Sequence, residues 1–251
     1  RIVRLATVEP SPRAREIANS LREQATADVD TATVELVALT LAKVESATRA
    51  IDAAAPDPVE ELIDRAGRAT AREALGMLGG AYGRTVTVIA GAGNNGADGR
   101  TAGEYLARRG VKVRVVDALA CPPMLAPCDL VIDAGFGTGF RGEWVAPDIA
   151  GISGGRPMVL AVDIPSGVNA LTGAASEGVL AADRTVTFQA LKPGLVFGAG
   201  RGLAGDVVVA DIGLDVTSAD QFLVEAADVA DWWPRRATDA HKWKGAVRIV
   251  A

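Results

Sequence analysis

Six short β-branched runs, most of them leading into a glycine or an aspartate, limit what this chain can fold into more than any other feature. Thr85–Ala90 is bounded by glycines, and Val111–Val116 leads into Asp117. Asp129–Asp133, Met158–Val162, Thr185–Phe188 and Asp206–Ala210 follow at intervals that leave room for helices. Continuous apolar runs of this length are the mark of strands buried on both faces of a parallel sheet. Gly99–Arg109, between the first two runs, reads as a helix. The alternation predicts a Rossmann-like, doubly wound α/β fold: a mainly parallel sheet with helices on both faces. Ligands of such sheets sit outside the carboxyl ends of the strands. The loops after Ala90, Asp133 and Val162 are therefore expected to converge on one crevice.

Upstream of about residue 80 the pattern is helical. Ile17 and Leu21 recur at a four-residue step, as do Val37 and Leu41, with Val34 and Val44 on the same stripe. Asp30 or Thr31 is a candidate cap for the second helix, and Pro56 and Pro58 should end it. A third helix over Val59–Leu78 groups Leu62, Ile63 and Ala66, and Gly79-Gly80 closes it. This gives an N-terminal helical extension over 1–48 and an α/β domain over 49–234. A final segment, 235–251, begins at a boundary marked by Trp232-Trp233-Pro234-Arg235-Arg236.

Composition removes several classes of function. The formal net charge is −5 and no block of Lys or Arg stands out, which argues against nucleic acid or an anionic membrane surface as partner. No apolar stretch approaches the ~20 residues needed to cross a bilayer. Cys121 and Cys128 are the two cysteines and His241 the single histidine. That excludes a disulfide framework, fits a cytoplasmic setting and makes a Cys/His metal site improbable.

Three loops carry the candidate chemistry. In Gly91–Gly99, glycines at 91, 93, 96 and 99 let the backbone turn tightly and approach a ligand, and a helix beginning near Gly99 offers free N–H groups to phosphate. Asn94, Asn95 and Asp98 add polar groups that a purely structural turn does not need. The Lys-Ser/Thr of a P-loop is missing. Asp117 is a candidate for the ribose-binding acid or simply a solvated strand end. Asp133–Gly139 places a carboxylate beside a second glycine-rich cradle, with capping of the next turn as the plain alternative. In Asp163-Ile-Pro-Ser-Gly167, Asp163 and Ser166 can both face the crevice, Asp163 as general acid or base. Ser166 lacks the Gly-x-Ser-x-Gly elbow of a hydrolase nucleophile.

Taken together these loops, in this order, resemble the NAD(P)H-hydrate epimerase family, the YjeF-type N-terminal domain. Leu62–Gly67, Gly91–Gly99, Asp133–Gly139, Asp163–Gly173, Thr185–Phe188, Lys192–Gly194 and Asp211–Gly213 carry the likeness, which runs from about Ile51 to Ala251. The resemblance implies epimerisation of the R and S forms of hydrated NADH and NADPH, NAD(P)HX, whose nicotinamide ring has gained water at C6. It implies substrate contact at Asn94, Asn95, Gly96, Ala97, Asp98, Gly137, Thr138, Gly139, Phe140, Arg141, Gly142, Glu143 and Asp163, with Asp163 as the acid/base. It further implies a potassium ion on Asn95, Asp133 and Ser166, all oxygen donors. Asp239–Ala251 is similar to the opening of the ADP/ATP-dependent dehydratase domain that follows the epimerase in bifunctional repair enzymes.

Three departures stand out. Ala97 occupies a position where the family normally has glycine; the 117–129 segment is short; and residues 1–48 have no recognised counterpart, their plainest role being helical packing or self-association. Two other readings compete: a non-catalytic nucleotide- or protein-binding module on the same fold, and a generic NAD-dependent dehydrogenase. The double Asn and the Asp133/Asp163 pair are surplus to the second.

Overall fold

The computed structural model describes residues 11–24, 31–139, 142, 144–217, 223 and 229. The chain divides into two compact units, 1–217 and 218–251, and nearly all described residues belong to the first. The boundary expected at 232–236 and the segment 239–251 lie outside the described residues.

The sheet contains β1 (Thr85–Ala90), β2 (Lys112–Asp117), β3 (Leu130–Ala134), β4 (Met158–Val162), β5 (Arg184–Phe188) and β6 (Asp206–Ala210). Its order is β2-β1-β3-β4-β5-β6 and every pairing is parallel. Strand order reverses between β1 and β3, the place where a doubly wound sheet opens a crevice. β1 and β3 are buried along their whole length, and β4 along all but its first residue. The edge strands β2 and β6 alternate toward solvent.

Helices α1 (Pro12–Gln24), α2 (Thr31–Ala53), α3 (Val59–Leu78), α4 (Asn94–Ala107) and α5 (Gly198–Leu203) complete the fold. Pro58, at φ −59°, precedes α3, and Gly79 ends it in the left-handed conformation at φ 65°. One sheet face, with Val86, Val88, Leu130, Ile132, Leu160, Val162 and Val186, packs against α3 and α4. Each such side chain contributes about 1.5–3 kcal/mol through burial. On the other face α5 lies near β5 and β6, the Thr185 hydroxyl donating to Ala204 O. The remainder of that face is covered by irregular chain: Leu125, Cys128, Trp144 and Ala182 pack over Ile89, Val131 and Val159. Residues 118–129 contain no helix. No helix among the described residues is long and apolar enough to cross a membrane.

The structure corrects the sequence reading at two points. Helix α4 starts at Asn94 rather than near Gly99. Asn-Asn-Gly-Ala-Asp-Gly is poor helix sequence, but tertiary packing outweighs that propensity. Gly99 lies where a Cβ would overlap the Ala134 side chain, and at Gly103 it would come within 3.2 Å of Val113 Cγ1. Glycine thus lets α4 lie directly on the sheet. Val37 is 38% exposed; the buried stripe of α2 is Val34, Ala38 and Leu41, which meets Ile17 and Ala18 of α1.

Candidate active site

The loops after β1 and β3 touch. Gly91 N donates to Ala134 O at 3.0 Å, and a Cβ at Gly91 would overlap the Gly135 carbonyl. A Cβ at Gly96 would in turn overlap the Gly91 carbonyl. These two glycines are needed for close backbone approach within the protein itself. Gly93 differs: it is the N-cap of α4, makes no side-chain cap and has open space where a Cβ would stand. The free N–H groups and positive dipole end are therefore at Asn94–Gly96, five residues earlier than the sequence suggested. Ala97 lies within the first turn of α4, where its N–H donates to Gly93 O at 3.1 Å.

Asn95 sits on that first turn facing Gly137, whose Cβ position is 3.2 Å from Asn95 Cβ. Both Asn95 amide atoms, Oδ1 and Nδ2, are buried and have no hydrogen-bond partner among the described residues. Leaving such a group unpaired costs about 1–3 kcal/mol, which a bound ligand or ion would offset. Beneath the same loop Asp133 is fully buried. Its Oδ1 accepts from the Ser166 hydroxyl at 2.5 Å and Gly135 N at 3.3 Å, and its Oδ2 accepts from Ser166 N at 2.8 Å. Ser166 Oγ also accepts from Phe136 N at 2.9 Å. Burial raises the Asp133 pKa, and the Ser166 and Gly135 bonds oppose that shift. Ser166 is fully buried, so it is not an exposed nucleophile. Asp117 Oδ1 accepts from Leu119 N and Ala120 N, which makes it the cap of its own turn.

Asp163, directly after β4, has φ 66°, a conformation that non-glycine residues seldom adopt. It is held there by a compact network. Lys192 Nζ pairs with its Oδ1 at 2.6 Å, both side chains being about seven-eighths buried. Thr187 Oγ1 and Phe188 N donate to the same oxygen at 3.1 and 3.4 Å. Oδ2 has no hydrogen bond among the described residues. Lys192 also donates to Phe188 O at 2.8 Å.

Asp98, on the second turn of α4, is 8% exposed and makes no hydrogen bond among the described residues. Burial, reinforced by the Asp163 charge and opposed by Lys192, pushes its carboxyl up to about 8. It is a neutral acid at pH 7 beside an ion-paired one. The folded protein thus holds a proton that the unfolded chain releases above the usual carboxylate range. Stability should fall as pH climbs toward 8. Asp98→Asn removes this dependence, so its melting temperature should gain on the wild type between pH 5 and pH 8.5. A pH-independent difference between the two melting curves would refute this account.

Asp163 and Lys192 lie at one end of a cleft of about 320 Å³, which Thr138 and Gly139 of the second cradle also line. Its apolar lining includes Leu171, Phe188, Ile212 and Leu214. The cleft thus brings Asp163, Thr138 and Gly139 together, while Asn95 stands against Gly137 and Asp98 is buried close enough to Asp163 to feel its charge. Asp133 and Ser166 hold the Gly135–Phe136 backbone of the second cradle. Asn94 is exposed, Gly142 lies at φ 119°, and Phe140, Arg141 and Glu143 are outside the described residues. Two contributors went unassigned from sequence: Lys192, seen only as part of a Lys-Pro-Gly motif, and the face of α2 that forms a wall of the cleft.

Among the described residues no group of three His, Cys, Asp or Glu is arranged to hold a metal. A cation here would rely on amide, hydroxyl and carboxylate oxygens, which suits a hard ion. The orphaned Asn95 Oδ1 and the buried Asp133 carboxylate, which no cationic side chain faces among the described residues, fit such an ion.

Comparison with known proteins relates the chain to one family. The sequence pattern of the YjeF-related protein N-terminus family matches residues 59–125 and 117–194. An NAD(P)H-hydrate epimerase of Clavibacter sepedonicus is 38% identical over 173 residues, covering 53% of this chain and 75% of the relative. A bifunctional NAD(P)H-hydrate repair enzyme Nnr of Mycobacterium leprae is 33% identical over 222 residues, 77% of this chain and 45% of the relative. The Mycobacterium tuberculosis enzyme of the same name is 36% identical over 184 residues, 65% of this chain and 38% of the relative. The chain spans less than half the length of these two bifunctional relatives.

Proposed function

Because the chain belongs to the YjeF-related N-terminal family, we propose that it interconverts the R and S epimers of hydrated NADH and NADPH. The observation that carries the reading is a pair of aspartates, Asp163 lining the cleft and Asp98 buried within reach of its charge. Asp98 is held neutral by burial while Asp163 is ion-paired to Lys192, two carboxyl groups whose surroundings set them apart. A proton delivered to the C6 hydroxyl lets it leave as water while the ring nitrogen's lone pair forms a C6–N double bond. Water returning to the other face of C6 restores the hydroxyl and gives its proton back to a carboxylate. Asp163, with Oδ2 free, is the acid/base for this exchange, and the Asp98 proton is the complementary donor. No hydride moves, so the dinucleotide is substrate rather than redox cofactor.

The α4 N-terminus at Asn94–Gly96 and the Thr138–Gly139 turn would cradle the pyrophosphate. A potassium ion would be held by Asn95, Asp133 and Ser166, supplying fixed positive charge beneath the two cradles. The support is the unpaired Asn95 amide and the buried Asp133, which has hydrogen bonds but no cationic side chain beside it among the described residues. We read residues 239–251 as the opening of a linked dehydratase domain, in keeping with the bifunctional relatives.

The test supplies mixed NADHX epimers together with an S-specific dehydratase and follows loss of the R form. Addition of this protein should accelerate it, and no acceleration by folded protein in potassium buffer would overturn the reading. Replacing KCl by LiCl at equal ionic strength should slow the wild type severalfold. Asn95→Ala should be slow in both salts and lose that difference; a variant that responds to potassium as the wild type does removes Asn95 from the ion site.

A further inference from the structure

Helices α1 and α2 lie outside the catalytic loops, yet α2 contributes Val44, Glu45, Thr48, Arg49 and Ile51 to the cleft that holds Asp163. The hairpin is fixed against the α/β core, its buried stripe meeting Leu171 and Phe197. Val44 and Ile51 add apolar surface to a cleft that Leu171, Phe188 and Ile212 also line. Such an apolar lining suits an uncharged ring.

Two cations line this cleft among the described residues, Lys192 and Arg49. Lys192 is committed to Asp163 and to Phe188 O. Nearby, Arg100 is committed to the carbonyls of Gly91 and Ala90. Arg49 is different. Its side chain is 72% exposed and makes one hydrogen bond, from one terminal nitrogen to Glu45 Oε1 at 2.9 Å. Glu45 is itself anchored by Arg13, whose Nε and second terminal nitrogen reach its two oxygens at 2.6 and 3.0 Å. The anchor positions Arg49 and leaves most of its N–H fork open. A pyrophosphate carries two negative charges, and the glycine cradles themselves offer it N–H groups but no cationic side chain.

We propose that α2 is a wall of the substrate chamber and that Arg49 takes a phosphate of the dinucleotide in the cleft that Thr138 and Gly139 also line. The inference rests on the epimerase reading for the identity of the substrate. A guanidinium meets phosphate with paired, charge-assisted hydrogen bonds, which a lysine reproduces only in charge.

The test separates binding from turnover. Calorimetry with NADH and with phosphate-free reduced nicotinamide riboside should show that Arg49→Gln weakens NADH about tenfold, as loss of a charged hydrogen bond predicts. Riboside affinity should stay within about twofold, and Arg49→Lys should fall between wild type and Gln for NADH. In the epimerase assay Arg49→Gln should raise KM for NADHX about tenfold, with a much smaller fall in kcat. Unchanged NADH affinity, or an equal loss for the riboside, overturns the proposal, as does a wild type that does not bind NADH. If the wild type binds NADH through Arg49 but does not speed loss of R-NADHX, the epimerase reading fails and the phosphate contact stands.

Discussion

Asp163→Asn should fold and bind substrate while losing about 10²–10⁴ of its epimerisation rate, the usual contribution of a positioned acid/base. Asparagine is the right replacement because it tolerates the left-handed backbone that Asp163 adopts at φ 66°, whereas a bulkier residue would add strain. It also keeps an oxygen for the Thr187 and Phe188 donors. What it removes is the charge. Lys192, 13% exposed, is left with Phe188 O as its partner, and breaking a buried pair from one side costs about 3–5 kcal/mol. A melting temperature lower by several degrees is therefore expected, and the assay belongs well below it. Asp163→Asn combined with Lys192→Met should regain part of that stability and none of the rate. A folded Asp163→Asn enzyme at wild-type speed would remove Asp163 from the chemistry.

The two halves of this ion pair illustrate what the sequence could and could not disclose. Asp163 was legible because it follows a β-branched run and opens a Pro-Ser-Gly turn, which locates it at a strand's carboxyl end. Lys192 lies 29 residues later, after another strand, and nothing local says which way its ammonium points. Strand identities and α3 were legible for the same reason as Asp163: short-range patterning and punctuation by Pro58 and Gly79 decide them. The start of α4 was not. Its first turns are stabilised by contacts with β1 and β3 that replace, rather than follow, helix propensity. The cleft wall from α2 was hidden for a stronger version of that reason. Thr48 and Arg49 line one cleft with Leu171 and Phe188, more than a hundred positions downstream, and their own neighbourhood reads only as an amphipathic helix.

The glycine-rich segment where the chain first suggested a phosphate site contains two glycines that should fail in opposite ways. Gly96→Ala inserts a methyl group into the Gly91 backbone, with the Gly91 carbon and nitrogen at 2.6 and 2.7 Å. Backbone cannot swing aside as a side chain can, so the β1–α4 junction must shift. Overpacking of this kind costs about 1–3 kcal/mol or more. In a domain of this size that lowers the melting temperature by about 2–4 °C per kcal/mol. Gly93→Ala meets nothing within 4 Å, and its φ of −85° suits any residue, so its melting temperature should stay within about 2 °C of wild type. Its methyl group, however, stands at the uncapped helix N-terminus, where phosphate oxygens must come within hydrogen-bond reach of the Asn94–Gly96 N–H groups. Gly93→Ala should raise KM for NADHX by about tenfold or more, because a displaced phosphate loses charge-assisted bonds. Thermal unfolding and initial rates on the two variants decide the matter. If Gly93→Ala leaves KM untouched while Gly96→Ala costs stability, the segment is a structural turn and the phosphates bind elsewhere.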